Sequence, residues 1–152
     1  MANVAAICST FKQQLLLGNH AFGTCETRDR TTADAFKAAL YFATGSLGAG
    51  STVYTTDGEV TTGDGYTTAG ADVTAGAPGL TTTTAHWTPG ASLVWTSFTH
   101  AAFDGLLIYN DSFATKRAVA VFNFGEQTVT AGTFSLTMPT ADASTGLIRL
   151  GD

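Results

Sequence analysis

The sequence contains few charged residues. Asp, Glu, Lys and Arg together make up 12% of its 152 residues, whereas about 25% is usual for a globular domain. A freely diffusing protein normally keeps more charge for solubility. The shortage therefore favours a surface that neighbouring molecules cover, because interface cores are depleted of charge. The alternative interpretation is a secreted or glycosylated module.

Basic clusters and long apolar runs are also missing. The seven Lys and Arg residues are scattered, and the net charge is −5. Phosphate binding needs clustered cations, so the sequence predicts no nucleic-acid partner. No apolar run approaches the ~20 residues that span a bilayer, so it predicts no membrane partner either. The N-terminus lacks the basic start of a signal peptide, and we expect synthesis in a cytoplasm.

Cysteine is nearly absent, with only Cys8 and Cys25 in the chain. The two residues could form a disulfide. A pair of reduced, buried thiols fits a reducing compartment better, and we prefer that interpretation.

Threonine, glycine and apolar residues are abundant. The chain has 28 threonines and 17 glycines, and 44% of its residues are hydrophobic. This length and composition suffice for one domain with a real core, which we place at residues 1–152. Hydroxyls, backbone and small side chains must then cover the surface.

One helix is predicted, over residues 3–17. Apolar residues, including Phe11 and Leu15, recur there at helical spacing, and Gly18 follows as a C-terminal cap. Residues 1–20 would then form either a lid on the core or an arm that reaches a neighbour.

The rest of the chain predicts short β-strands. Turn residues recur every 8 to 12 positions or so, as in antiparallel sandwiches and barrels. Residues 35–44 and 116–125 are apolar in both registers, which favours strands covered on both faces. The predicted strands are 35–44, 51–56, 65–74, 81–88, 92–100, 104–111, 116–125, 127–132, 133–139 and 146–150.

The acidic stretch at residues 54–74 resembles a calcium loop at first sight. It holds Asp57, Glu59, Asp64 and Asp72. Calcium loops need acids at alternate positions, followed by glycine and a later glutamate, and that order is missing. We therefore predict strand segments joined by glycine turns at 57–58 and 63–65, and no metal site.

No catalytic arrangement stands out. His20, His86 and His100 lie far apart in the sequence and lack the spacing of metal ligands. Asp104 and Glu126 are the remaining candidates for a carboxylate pair, but Asp104 is placed to cap a strand and Glu126 to form a turn. We expect no enzyme and no cofactor.

Aromatic residues allow a third interpretation, a sugar-binding platform. Trp95 and Tyr109 lie within apolar strands and are predicted to belong to the core. Trp87 precedes Pro89-Gly90, so we expect it to be the most open aromatic residue. An exposed Trp87 on a concave face would favour carbohydrate binding.

Four segments resemble a family of small structural proteins of tailed bacteriophages. They are "STFKQQLLLGNHAFG", "DAFKAALYFATGSLGAGSTVYTTDGEVTTGDGYTTAGADVT", "FDGLLIYNDSFATKRAVAVFNFGEQTVTAGTFSLTMP" and "DASTGLIRL". The resemblance covers nearly the whole chain, and its motifs are structural. The chain departs from the pattern at Ala69-Gly70-Ala71, where the family has a glycine pair, and in a longer loop, "TCETRDR". The resemblance implies a virion protein with a jelly-roll or related β-sandwich fold.

Together these observations predict a capsid decoration or cement protein. We expect a mainly β, jelly-roll-like antiparallel sandwich, made in the host cytoplasm and located on the capsid surface of the virion. Its partners would be the major capsid protein and copies of itself, as a dimer or trimer. The alternatives are a low-copy tail or neck protein and a receptor- or carbohydrate-binding domain. Partner contacts are expected at Phe11, Leu15, Asp57, Asp64 and Trp87.

Overall fold

A computed structural model describes residues 2–24 and 32–151. Within these ranges the chain is mainly β, with antiparallel strand pairs and one short helix. The elements are β1 (Ala6–Ile7), α1 (Ser9–Leu16), β2 (Phe36–Phe42), β3 (Ala71–Val73), β4 (Gly79–Thr81), β5 (Thr84–Trp87), β6 (Leu93–Asn110), β7 (Arg117–Leu136) and β8 (Ile148–Leu150).

The strands form two sheets. The larger has five strands in the order β1-β7-β6-β2-β3, and the smaller has three in the order β4-β5-β8. The sheets meet where Trp87 of β5 packs against Phe36 of β2, with ring centroids 5.9 Å apart. The predicted mainly β fold with antiparallel sheets and a short helix is confirmed. The jelly-roll connectivity stays a prediction.

The β6–β7 hairpin dominates the larger sheet. Its strands have 18 and 20 residues and pair along their whole length. The five separate strands predicted between residues 92 and 139 were wrong, because they join into these two. Where the sequence indicated turns, the strands carry bulges instead. Ala102, Gly125 and Ala131 adopt positive φ there, as does Ser97 within the predicted strand 92–100, and all four lie at shifts of the pairing register.

Other predicted strands are shorter than expected. Residues 51–56 contribute only an isolated bridge between Val53 and Arg117. Of 65–74 only β3 is a strand, since the preceding residues turn at Gly63 and Gly65, both at positive φ. Residues 81–88 instead divide between β4 and β5. The turns predicted at 57–58 and 63–65 are therefore present, but most of the strand between them is not.

The helix begins six residues later than predicted. Residues 3–7 are not helical because they pair with other segments: the Val4 amide donates to Leu47 O at 2.9 Å, and β1 pairs with β7. Tertiary pairing thus overrides the helical spacing of the sequence. Phe11 is fully buried, so α1 lies on the body as a lid.

The core is continuous through both sheets. The central residues of β2, and β6 from Phe103 to Asn110, are nearly all buried, as expected for strands covered on both faces. At the other end of the hairpin, aromatic rings form their own cluster. Phe103 and Phe134 lie 4.8 Å apart edge to face, and Phe98 packs 5.3 Å from Phe103.

Cys8 is buried beside β7, where burial raises the pKa of its thiol to about 11. A buried thiol at Cys8 agrees with the sequence interpretation. Cys25 and most of the charged loop at 24–30 lie outside the described residues, so a pairing of the two cysteines stays untested.

Candidate functional site

Glu59 lies in a buried polar site between the 54–70 segment and the larger sheet. Its carboxylate accepts hydrogen bonds from the hydroxyls of Tyr54 at 2.5 Å and Tyr66 at 2.7 Å, and from the Ala69 amide at 2.7 Å. Glu59 and all three donors belong to the long connection between β2 and β3, so the carboxylate joins distant parts of that connection. The carboxylate oxygens of Glu59 already accept hydrogen bonds and are hidden from solvent. Glu59 is therefore better suited to stabilising the fold than to transferring a proton in catalysis.

The four tyrosines of the chain surround this carboxylate. Tyr54 stacks on Tyr109 with centroids 4.7 Å apart, and the hydroxyl of Tyr66 also accepts from the Leu40 amide at 3.0 Å. Burial is the largest cause that raises the pKa of every one of these tyrosines, and the negative charge of Glu59 raises each pKa further. The hydroxyls therefore stay neutral hydrogen-bond donors well beyond their usual range.

A second buried carboxylate, Asp104, lies inside β6. One oxygen accepts from Asn3 Nδ2 at 2.6 Å and the other from Asn123 Nδ2 at 2.8 Å. The predicted role of Asp104 as a strand cap was wrong, because the residue lies in mid-strand and bonds to the N-terminal segment. Asn3 occupies a narrow slot: a Cβ at Gly105 would lie 2.5 Å from its amide nitrogen, and one at Gly45 2.6 Å from its oxygen.

The histidines stay apart in the fold. His20 is buried, with Nε2 2.8 Å from Gln14 Oε1 and Nδ1 3.1 Å from Asn110 Nδ2. His86 and His100 are half-buried on different strands. Within residues 2–24 and 32–151 no group of three or more metal-binding side chains converges.

The residues predicted to contact partners fall into two groups. Asp57 and Asp64 are exposed at loop tips, as expected, and Leu15 is half-buried on α1. Phe11 and Trp87 belong to the core, and Trp87 is only 3% exposed. Its ring packs 4.7 Å from Phe22. The prediction that Trp87 is the most open aromatic was wrong, since residues far away in the sequence cover it.

Sequence reasoning missed the most exposed apolar side chains. Four of them are leucines at the end of α1 and on the edge strands of the smaller sheet, including Leu16 at 91% and Leu80 at 72% exposed. The repeated leucines after Gln14 were the only available signal, and they were assigned to the helix face. We call these four leucines, together with the half-buried Leu15, the leucine patch: Leu15, Leu16, Leu17, Leu80 and Leu150.

Strand register brings members of the patch together. Leu80 of β4 pairs with Ala85 of β5, and Ala85 pairs with Leu150 of β8, so the three form one row across the smaller sheet. Leu15 and Leu150 also line a small apolar cavity of about 110 Å³. Leu16 and Leu17 border the adjoining hollow, which shares Leu15 with that cavity.

The chain is thus a mainly β protein whose two buried carboxylates, Glu59 and Asp104, are hydrogen-bonded within the protein and whose exposed leucines gather on one side. No known protein-family model matches it, and no curated protein or solved structure resembles it at a significant level. The resemblance to bacteriophage structural proteins therefore stays a prediction. None of the described helices is long and apolar enough to cross a bilayer.

Proposed function

We propose that this chain is a structural protein of a tailed-bacteriophage particle that decorates the head shell by binding the major capsid protein. The leucine patch is the observation that carries the proposal. Exposed apolar groups gathered on one side of a sparsely charged protein are typical of a surface that another protein covers. The resemblance of the sequence to structural proteins of tailed bacteriophages indicates that this other protein is the major capsid protein.

Binding of this kind needs no chemistry, only area and repetition. The described structure exposes 7869 Å², and a standard protein contact takes about 800 Å² from each partner. One such contact would use about a tenth of the surface. Weak contacts repeated on a lattice become strong through high local concentration, and binding only the assembled shell would stabilise that shell.

Copy number in purified particles tests the location. A decoration protein should be present at a copy number comparable with that of the major capsid protein, and density for it should cover the outside of the shell in an electron-microscopy map. A small fraction of that copy number would instead place the chain in the tail or neck, the alternative proposal. Particles that lack the chain altogether would contradict both.

The leucine patch can be tested separately. We expect Leu16→Ser combined with Leu80→Ser to weaken binding to shells of the major capsid protein at least tenfold, because burying one leucine contributes roughly 1.5–3 kcal/mol. The measurement is the number of bound copies against free concentration. Both side chains are exposed, so the free energy of unfolding should change little.

Val94→Ser is the matched control. Val94 is also an exposed apolar residue, but it lies on β6 and lines neither of the hollows that the patch borders. The control should bind like the parent chain. Equal weakening by Val94→Ser, or unchanged binding of the double variant, would remove the patch as the contact surface while leaving the location open to the particle measurement.

The carbohydrate-binding alternative depended on an open tryptophan. Since Trp87 is buried and its indole nitrogen donates to Gly76 O at 2.9 Å, no observation favours a stacking platform at that residue. We do not propose it.

A further inference from the structure

The outer edge of β7 is occupied over its first residues only. The Ala118 amide donates to Thr52 O at 3.0 Å, and the Cys8 amide donates to Val119 O at 3.0 Å. Further along the same edge of β7, β1 pairs with Ala120 and Val121. From residue 124 to 136 β7 pairs with β6 on one side, and no other described segment pairs with its backbone on the other side.

The neighbouring strand shows the contrast. The corresponding edge of β6 is covered by the 63–66 loop: the Thr99 amide donates to Asp64 O at 2.9 Å, and His100 Nε2 lies 3.1 Å from Gly63 O. Around Thr99 and His100 the outer edge of β6 is therefore covered, whereas no described segment covers the outer edge of β7 at residues 124–136.

The open edge lacks the residue types that normally protect one. Natural edge strands carry lysine, proline or inward-pointing charge, which discourage pairing with another chain. Residues 127–136, "QTVTAGTFSL", contain none of these. Bulges at Gly125 and Ala131 bend β7 and divide this edge into two stretches, 126–130 and 132–136. A long, neutral, threonine-rich edge is suited to pairing with a further strand.

We propose that this edge pairs with the same edge of a second copy of the chain, antiparallel about a two-fold axis. In a two-fold contact the same surface of each molecule faces its copy. Like charges on that surface would therefore repel each other across the interface. The only charged residue between 124 and 136 is Glu126, near one end. With Thr130 at the axis, the two Glu126 residues lie eight positions apart, roughly 27 Å along the strands.

Side chains also favour a copy over an unrelated strand. Thr130 is exposed on β7 and would face Thr130 of the second copy at the axis, and opposed threonines are favourable cross-strand pairs. Joining two five-stranded sheets at this edge would continue the hydrogen-bonded sheet from one molecule into the next. This interface does not depend on capsid binding, so it can be tested without particles.

Sedimentation of the full chain tests the proposal. We expect a monomer–dimer equilibrium that shifts to dimer as concentration rises, and Thr130→Lys should weaken it at least tenfold, because two lysines would face each other at the axis. Thr96→Lys is the control: Thr96 is another exposed threonine, on β6, where Gly65 of the 63–66 loop lies against the backbone. That variant should dimerise like the parent.

Hydrogen exchange of the unmodified chain gives a second measurement. Amides between residues 126 and 136 should become protected as the dimer forms, while exposed amides elsewhere should not. A chain that stays monomeric at the highest attainable concentration would overturn the proposal. A dimer that persists in Thr130→Lys without protection of this edge would do the same.

Discussion

Raising the pH to between about 11 and 12 should unfold this protein cooperatively, and its tyrosines should ionise only as it unfolds. A tyrosine in an unfolded chain has a pKa of about 10. Burial, together with the charge of Glu59, raises the pKa of Tyr41, Tyr66 and Tyr109 above that value in the folded chain. The stability that these residues provide is therefore complete below about pH 10 and is lost as the pH rises further.

The expected loss follows from proton linkage. Above about pH 10 the unfolded chain releases tyrosine protons that the folded chain retains, so the free energy of unfolding falls with pH. Each of the three tyrosines that are almost entirely buried would remove about 1.4 kcal/mol at pH 11 and about 2.7 kcal/mol at pH 12. The sum, about 4 and then about 8 kcal/mol, is comparable with the whole stability of a typical domain. Cys8, whose pKa is also raised, adds to the trend.

Tyrosinate absorbance and near-ultraviolet circular dichroism, followed together along the pH titration, check this prediction. The two signals should change in one step. The control is the same chain in concentrated urea, in which the tyrosines should ionise near pH 10. Ionisation of the folded chain near pH 10, with its circular dichroism unchanged, would mean that the tyrosines are open to water and that the Glu59 site is not closed.

Asn3→Ala should cost about 3 kcal/mol in the free energy of unfolding. The substitution removes bonds from Asn3 Nδ2 to Asp104 and to Phe42 O, and leaves the Leu47 amide without its acceptor. Asp104 would then keep one side-chain donor, Asn123, in a buried position. Removing one partner of a buried charged group is much more costly than the net value of the bond.

Asn3→Asp should lower the free energy of unfolding more than Asn3→Ala at neutral pH, and part of that loss should be recovered in acid. The new carboxylate would face the Asp104 carboxylate across a contact that is 2.6 Å in the parent chain. Two carboxylates so close cannot both ionise, so one must take up a proton, which is easier at low pH. Stability should therefore rise, relative to the parent, as the pH falls towards about 4.

Urea unfolding at several pH values measures both variants. Asn19→Ala is the matched control, because Asn19 follows α1 and its side chain makes no hydrogen bond within the described residues. It should cost well under 1 kcal/mol. If Asn3→Ala proved as mild as the control, the N-terminal segment would be an arm in solution, and its role as a lid would be wrong.

The central strands could be predicted because their signal is local. Residues 36–42 are apolar on both faces, and the structure buries them on both faces in β2. The glycine turns near 58 and 63 were predictable for the same reason, since a turn depends on a few neighbouring residues. The length of β6 and β7 was not, because bulges at Ala102 and Ala131 continue a strand where the local sequence indicates its end.

The roles of single residues depended on contacts between distant parts of the chain. Trp87 lies beside Pro89 and Gly90 in the sequence, yet Phe22 and Phe36 cover it in the fold. The local sequence indicates that Asp104 is a turn residue. In the fold it instead accepts a hydrogen bond from Asn3, which is 101 positions away in the sequence. No periodicity or local propensity carries information about such pairs.

Composition and local pattern were enough to establish a sparsely charged, threonine-rich β protein, because those properties are sums over residues or over short windows. Folding alone settled which leucines stay exposed, which tyrosines enclose Glu59 and which edge of β7 stays open. These features arise where distant segments compete for the same hydrogen bonds and the same apolar surface, and only the packed chain decides that competition.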